Sequence, residues 1–138
     1  MRVANASRVL RRAALLLACT SAFAACSGGP GTKAIEVAMH YSRFTPAAIE
    51  VAAGTTVEFE IVNGDPIAHE FIIGSEAVQQ RHELGNAGEQ HNGPGEASIP
   101  ANATVRISYM FREAGTLIYA CHVPGHYAYG MRGTVKVT

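Results

Sequence analysis

The stretch Cys121-His122-Val123-Pro124-Gly125-His126-Tyr127-Ala128-Tyr129-Gly130-Met131 sets a thiol, an imidazole and a thioether at five-residue intervals. Pro124, Gly125 and Gly130 supply turns, so the chain can fold back and aim Cys121, His126 and Met131 at one point. A fourth group must come from elsewhere. His69 is the natural donor, because it follows the turn Asn63-Gly64-Asp65-Pro66 and precedes the apolar run Phe71-Ile72-Ile73. Two histidines, a cysteine and a methionine make the ligand set of a blue-copper site. Cu(I) favours soft sulfur and low coordination, whereas Cu(II) favours nitrogen and tetragonal geometry. A trigonal plane of two nitrogens and one sulfur, with a weak axial thioether, serves both tolerably. The ligands then move little when an electron arrives or leaves.

Each residue also has a plainer reading. Free cysteine is often an inert buried thiol, and methionine is usually a core residue. Neither reading accounts for all four residue types together. Structural zinc uses Cys and His and rarely a thioether. A nucleophilic Cys121 with His126 as base leaves Met131 and His69 without a role. His69-Glu70 is no zinc-protease motif, since Ile73 stands where the second histidine belongs. A c-type haem would need Cys-x-x-Cys-His, which is absent. No catalytic residue and no organic cofactor site is assigned. His122 is expected to point away from the metal if strand alternation persists. His40, His82 and His91 could hold a second ion with nearby acids, but their spacing favours scattered surface histidines.

The elements that must position these residues read as strands. Ile35, Val37 and Met39 alternate with polar or small neighbours, as do Ile49 and Val51, then Val57, Phe59 and Ile61. The same period of two returns at Val105, Ile107 and Tyr109, and at Val135 and Val137. Turn signals separate the runs at Ala53-Gly54, Asn63-Gly64-Asp65-Pro66, Pro100-Ala101-Asn102 and Ala114-Gly115. An apolar strand over 117–120 delivers Cys121 at its end. The pattern predicts an all-β domain, a two-sheet antiparallel sandwich of Greek-key type. Residues 75–98 break the rhythm. The first part, 76–84, could form a short helix, and the rest reads as a long surface loop.

The chain has 138 residues and a formal net charge of zero, but Arg2, Arg8, Arg11 and Arg12 lie at its start. From residue 26 onward seven basic residues face 11 acidic ones, a balance of −4. That sign sets nucleic-acid binding aside. Residues 1–25 read as a signal peptide, with a basic start and an apolar run over 13–25 that is too short for a membrane-spanning helix. Ala22-Phe23-Ala24 offers one cleavage site. Phe23-Ala24-Ala25-Cys26 resembles a bacterial lipobox, with Phe23 where leucine is usual, and would lipidate Cys26. Residues 26–33 then form a glycine-rich tether, and 34–138 the domain. Either reading exports the domain to an oxidising compartment, the periplasm or the outer face of the cell membrane. The exported domain keeps one cysteine, so no internal disulfide is expected.

With these residues in hand, the chain over 34–138 resembles the cupredoxins, the small type 1 copper proteins. The resemblance runs through Phe44-Thr45-Pro46, Ile49-Glu50-Val51-Ala52-Ala53-Gly54-Thr55-Thr56-Val57, Asn63-Gly64-Asp65, His69-Glu70-Phe71 and the ligand loop. The spacing Cys-x₄-His-x₄-Met is similar to that of rusticyanin. The resemblance implies one copper ion with equatorial His69, Cys121 and His126, and axial Met131. It implies one-electron transfer rather than catalysis, transient redox partner proteins, and a monomer. A copper carrier or buffer that delivers Cu(I) to another protein is the alternative. Glu70 departs from the family, where many members carry Asn or Ser, and residues 75–98 have no assured counterpart.

Overall fold

The computed structural model describes residues 31–85 and 93–138. Its elements run β1 (Thr32–His40), β2 (Arg43–Thr45), β3 (Ala48–Val51), β4 (Thr55–Asn63), β5 (His69–Gly74), α1 (Glu76–Gly85), β6 (Glu96–Ile99), β7 (Thr104–Phe111), β8 (Gly115–Ala120) and β9 (Arg132–Val137). One sheet has the order β2-β1-β4-β7 and the other β3-β9-β8-β5-β6. The result is the two-sheet β-sandwich that the alternating runs predict.

Alternation decides which side chains face inward. On β4, Val57, Phe59 and Ile61 are fully buried and Glu58 is exposed. Val37 and Met39 from β1, and Val135 and Val137 from β9, close the same core. Five aromatic rings fill its centre. Phe44, Phe59, Phe71, Phe111 and Tyr119 meet at centroid distances of 5.3 to 6.2 Å, in edge-on or tilted pairs. Such geometries suit the ring quadrupole.

Three expectations need correction. The sheets are mixed, since β1 runs parallel to β4 and β3 parallel to β9. A period of two reports which face is buried but not the direction of the neighbouring strand. The loop expected after the helix also contains β6, which pairs with β5 through His69↔Ile99 and Phe71↔Ala97. Finally, β1 begins at Thr32, inside the stretch read as tether, and Thr32 pairs with Thr56 of β4. The expected signal peptide, Cys26 and His91 lie outside the described residues.

Helix α1 starts just after Ser75, carries Glu76 in its first turn, where the helix dipole favours an acid, and ends at Gly85. Its buried residues are polar, Gln79 and His82. Gln79 is fully enclosed, and its amide nitrogen donates to the carbonyls of Ile72 on β5 and Ile118 on β8, at 3.1 and 2.9 Å. The helix thus covers the outer face of the two strands that lead into the site. This explains why β5 is buried on both faces.

Strand β9 admits Tyr119 only because residue 133 has no side chain. A Cβ on Gly133 would sit 2.1 Å from the Tyr119 ring, whose hydroxyl donates to the Pro46 carbonyl. Gly133→Ala is therefore expected to cost about 1–3 kcal/mol by overpacking. Urea unfolding checks this, and an unchanged midpoint would contradict the described packing.

Candidate metal centre

Two strands bring the donors together. His69 opens β5 and is buried at 1% exposure. Cys121 follows the last residue of β8, the strand paired with β5, and is also fully buried. His126 reaches the same point from the loop beyond. Cys121 Sγ lies 3.4 Å from His126 Nδ1 and 3.8 Å from His69 Nδ1, and the two imidazole nitrogens are 3.2 Å apart. Among the described residues these are the only three His, Cys, Asp or Glu side chains whose donor atoms all lie within 4.8 Å of one another.

The loop is closed by its own backbone. Met131 N donates to the His126 carbonyl at 2.9 Å, and Cys121 N donates to the Met131 carbonyl at 3.1 Å. Gly125 and Gly130 have φ of +87° and +84°, a region other residues rarely adopt. The turns they make bring Met131 back beside Cys121, fully buried in the same core cluster. His126 is half-buried and has exposed Pro124, Gly125 and Tyr129 as loop neighbours. It is the accessible edge of the cluster.

The pattern of the plastocyanin/azurin copper-binding proteins matches residues 32–138. The chain belongs to that family. Over 98 residues it is 41% identical to the copper-resistant cuproprotein CopI of Rubrivivax gelatinosus, covering 69% of this chain and 59% of that protein. The chain thus spans about three fifths of that relative's length. The solved structure of auracyanin A, a blue copper protein from Chloroflexus aurantiacus, superposes with a TM-score of 0.63 at 26% identity. That match covers 78% of this chain and all of the other. Reduced rusticyanin shares the fold, with a TM-score of 0.53, 21% identity, and coverage of 78% and 79% of the two chains.

The cofactor of this cupredoxin is copper, and the donor chemistry fits it. His69 Nε2 lies 2.8 Å from Asp65 Oδ2, an acceptor-only carboxylate. The ring proton therefore sits on Nε2, and the Nδ1 lone pair faces the cluster. That lone pair, a second imidazole nitrogen and a sulfur share one small space, an arrangement that a soft cation satisfies.

The environment sets the charge of each group. Burial pushes the Cys121 thiol up to about 11, further raised by the nearby Glu70 carboxylate. Hydrogen bonds from the Glu70 and Val123 backbone amides oppose that rise, the former at 3.3 Å. Burial, and then the electrostatic influence of neighbouring His69, pushes the His126 imidazole down, which keeps its lone pair available. Burial alone would raise the Asp65 carboxyl. Hydrogen bonds from Ser42 N–H, His69 and Tyr41 N–H outweigh it and bring the group down to about 2.

Among the described residues, the remaining histidines are placed apart from the donors. His122 does point away from them. Its Nε2 meets Gln79 Oε1 at 2.8 Å and its Nδ1 meets Glu83 Oε2 at 2.9 Å. Because the Gln79 nitrogen serves two backbone carbonyls, its oxygen is the atom left to face His122. The loop is thereby tied to α1. His40 lies beside Asp65, and His82 beside Glu96. Glu70, flagged by its departure from the family, supports the site twice. Its amide bonds to the Cys121 sulfur, and its carboxylate accepts the His122 N–H at 3.2 Å. Asp65 and Gln79 escaped sequence reasoning. For Asp65 the usable signal was an acid four positions before a candidate ligand.

Ligation by Cys121 would require the thiolate, so copper would have to displace the Cys121 proton. Titrating metal-free protein with Cu(II) in weakly buffered solution near neutral pH should release one proton per ion from this thiol. Affinity should rise with pH, because the protonated thiol competes with copper less as pH increases. Copper uptake without proton release would contradict a buried neutral thiol at the site.

Proposed function

We propose that this cupredoxin is a one-electron carrier working outside the cytoplasm, and not an enzyme. Copper is held by His69, Cys121 and His126 in the plane, with the Met131 thioether as a weak axial ligand. The observation that carries the reading is the convergence of the Cys121, His69 and His126 donor atoms within 4.8 Å of one another. They stand on paired strands and a loop that closes on itself through backbone hydrogen bonds. A rigid frame of this kind keeps reorganisation small, which a carrier needs and a transfer chaperone does not. His126 is the exit for the electron, because it is the ligand nearest solvent.

The partners proposed are redox proteins that dock transiently over the exposed rim formed by Pro124 and Tyr129. The −4 balance from residue 26 onward favours a positively charged docking face. The protein works as a monomer, exported by residues 1–25 and anchored by a lipid on Cys26. The basic start, the apolar run and the lipobox-like Phe23-Ala24-Ala25-Cys26 support that placement.

A second reading, copper buffering or delivery of Cu(I), draws on the 41% identity to a copper-resistant cuproprotein. The two readings differ in whether copper stays. The carrier should give a reversible one-electron wave in voltammetry and retain its copper through repeated cycles. Its encounter rate with a cationic redox protein should fall as ionic strength rises. Ready surrender of Cu(I) to an acceptor protein, with sluggish electron exchange, would favour delivery. Cys121→Ser should abolish the intense thiolate-to-copper absorption while the fold persists, and an unaffected coloured centre would contradict both readings.

A further inference from the structure

Behind His69 stands a buried anion with an unusual set of donors. The Asp65 side chain is 7% exposed. Its Oδ2 lies 2.8 Å from His69 Nε2 and accepts the Ser42 N–H at 2.9 Å. Its Oδ1 accepts the Tyr41 N–H at 2.7 Å and lies 3.3 Å from Nδ1 of the exposed His40. Asn63 holds the same residue from its backbone side, since Asn63 Oδ1 accepts the Asp65 N–H at 2.9 Å. The Asn63 amide nitrogen in turn donates to the carbonyls of Ile67 and Pro100 at 2.8 and 2.9 Å.

The donors from Tyr41 and Ser42 come at a conformational cost. These two residues form the β1–β2 turn, with φ of +51° and +52°. Hairpin turns of this kind normally use Asn-Gly or Asp-Gly, because side chains disfavour positive φ at both positions. A tyrosine and a serine persist here with both amides aimed at one carboxylate. The fold thus spends local strain to fix the position and charge of Asp65.

We propose that Asp65 is a positioning residue for the copper centre, one that locks His69 with its proton on Nε2 and strengthens Nδ1 as a donor to Cu(II). The inference rests on His69 being a copper ligand, as proposed above. A carboxylate partner raises the basicity of a ligating imidazole, and removing such partners typically weakens metal binding 10–100-fold. The more highly charged Cu(II) gains more from a nearby anion than Cu(I) does. Asp65 therefore holds the reduction potential below the value a neutral partner would give. A residue that only stapled the β1–β2 turn to the His69 loop would affect stability and leave the potential alone.

Asp65→Asn separates these roles. It keeps one oxygen, enough for His69 Nε2 and the Ser42 amide, turns a nitrogen towards the Tyr41 amide, and removes the charge. In the copper-loaded variant the thiolate charge-transfer band should persist. Cu(II) affinity should fall about 10–100-fold and Cu(I) affinity by less, so the potential should rise, by at most about 59–118 mV at 59 mV per tenfold change for one electron. A retained band with an unmoved potential would overturn the proposal. Absence of the band from the wild-type protein would instead sink the ligand assignment, and this inference with it. Should the variant fail to fold, nitrogen-15 NMR of the wild-type Cu(I) protein decides. A slowly exchanging proton on His69 Nε2 is expected, and a rapidly exchanging Nε2 proton, or a proton on Nδ1, would overturn the proposal.

Discussion

A sulfur atom with no solvent exposure has to meet two imidazole nitrogens at one point, and the architecture around it follows from that requirement. Cys121 can be placed so deeply only because β8 delivers it between the sheets, where burial holds the thiol proton on up to about 11. The same depth makes a bare thiolate costly and a metal-bound one favourable. The amides of Glu70 and Val123 are the polar partners the sulfur finds there, and both belong to segments that also shape the ligand set. Copper binding and local folding are thus linked through one atom.

The surroundings limit movement on several sides. Strand β5 carries His69 and is covered on its outer face by α1, whose Gln79 ties the carbonyls of β5 and β8 together. The same Gln79 reaches His122, so the residue next to the sulfur is held from the helix side. On the other side, Asn63 and Asp65 fasten the approach to His69. Only His126 keeps an open flank. A cluster held at three corners and accessible at one is what the proposed electron transfer through His126 needs.

Much of this was legible in the residues. Side-chain period exposed most of the strands, and the Cys121–His126–Met131 spacing with His69 pointed to copper, because few other sites ask for both thiolate and thioether. Other features were hidden for physical reasons. The parallel pairing of β1 with β4 leaves the same alternation as an antiparallel pairing would. Strand β6 is short and follows glycines, although Ala97 and Ile99 alternate with Glu96 and Ser98. The β2 strand has three residues, too few for a period to register. Gln79 carried no signal within the possible helix over 76–84, because a polar residue buried under a helix breaks the usual pattern. Asp65 read as turn chemistry, and its reach to both His69 and the β1–β2 turn is a contact between distant segments that local sequence does not encode.

The central claim is that one copper ion sits where these donors converge. Anomalous scattering at the copper edge, recorded on crystals of the copper-loaded domain, tests it directly. The account predicts one strong peak bonded to Cys121 Sγ and to Nδ1 of both His69 and His126, with the Met131 sulfur on its axial side. A peak elsewhere, such as at His40 or His82, with Cys121 left uncoordinated, would contradict it.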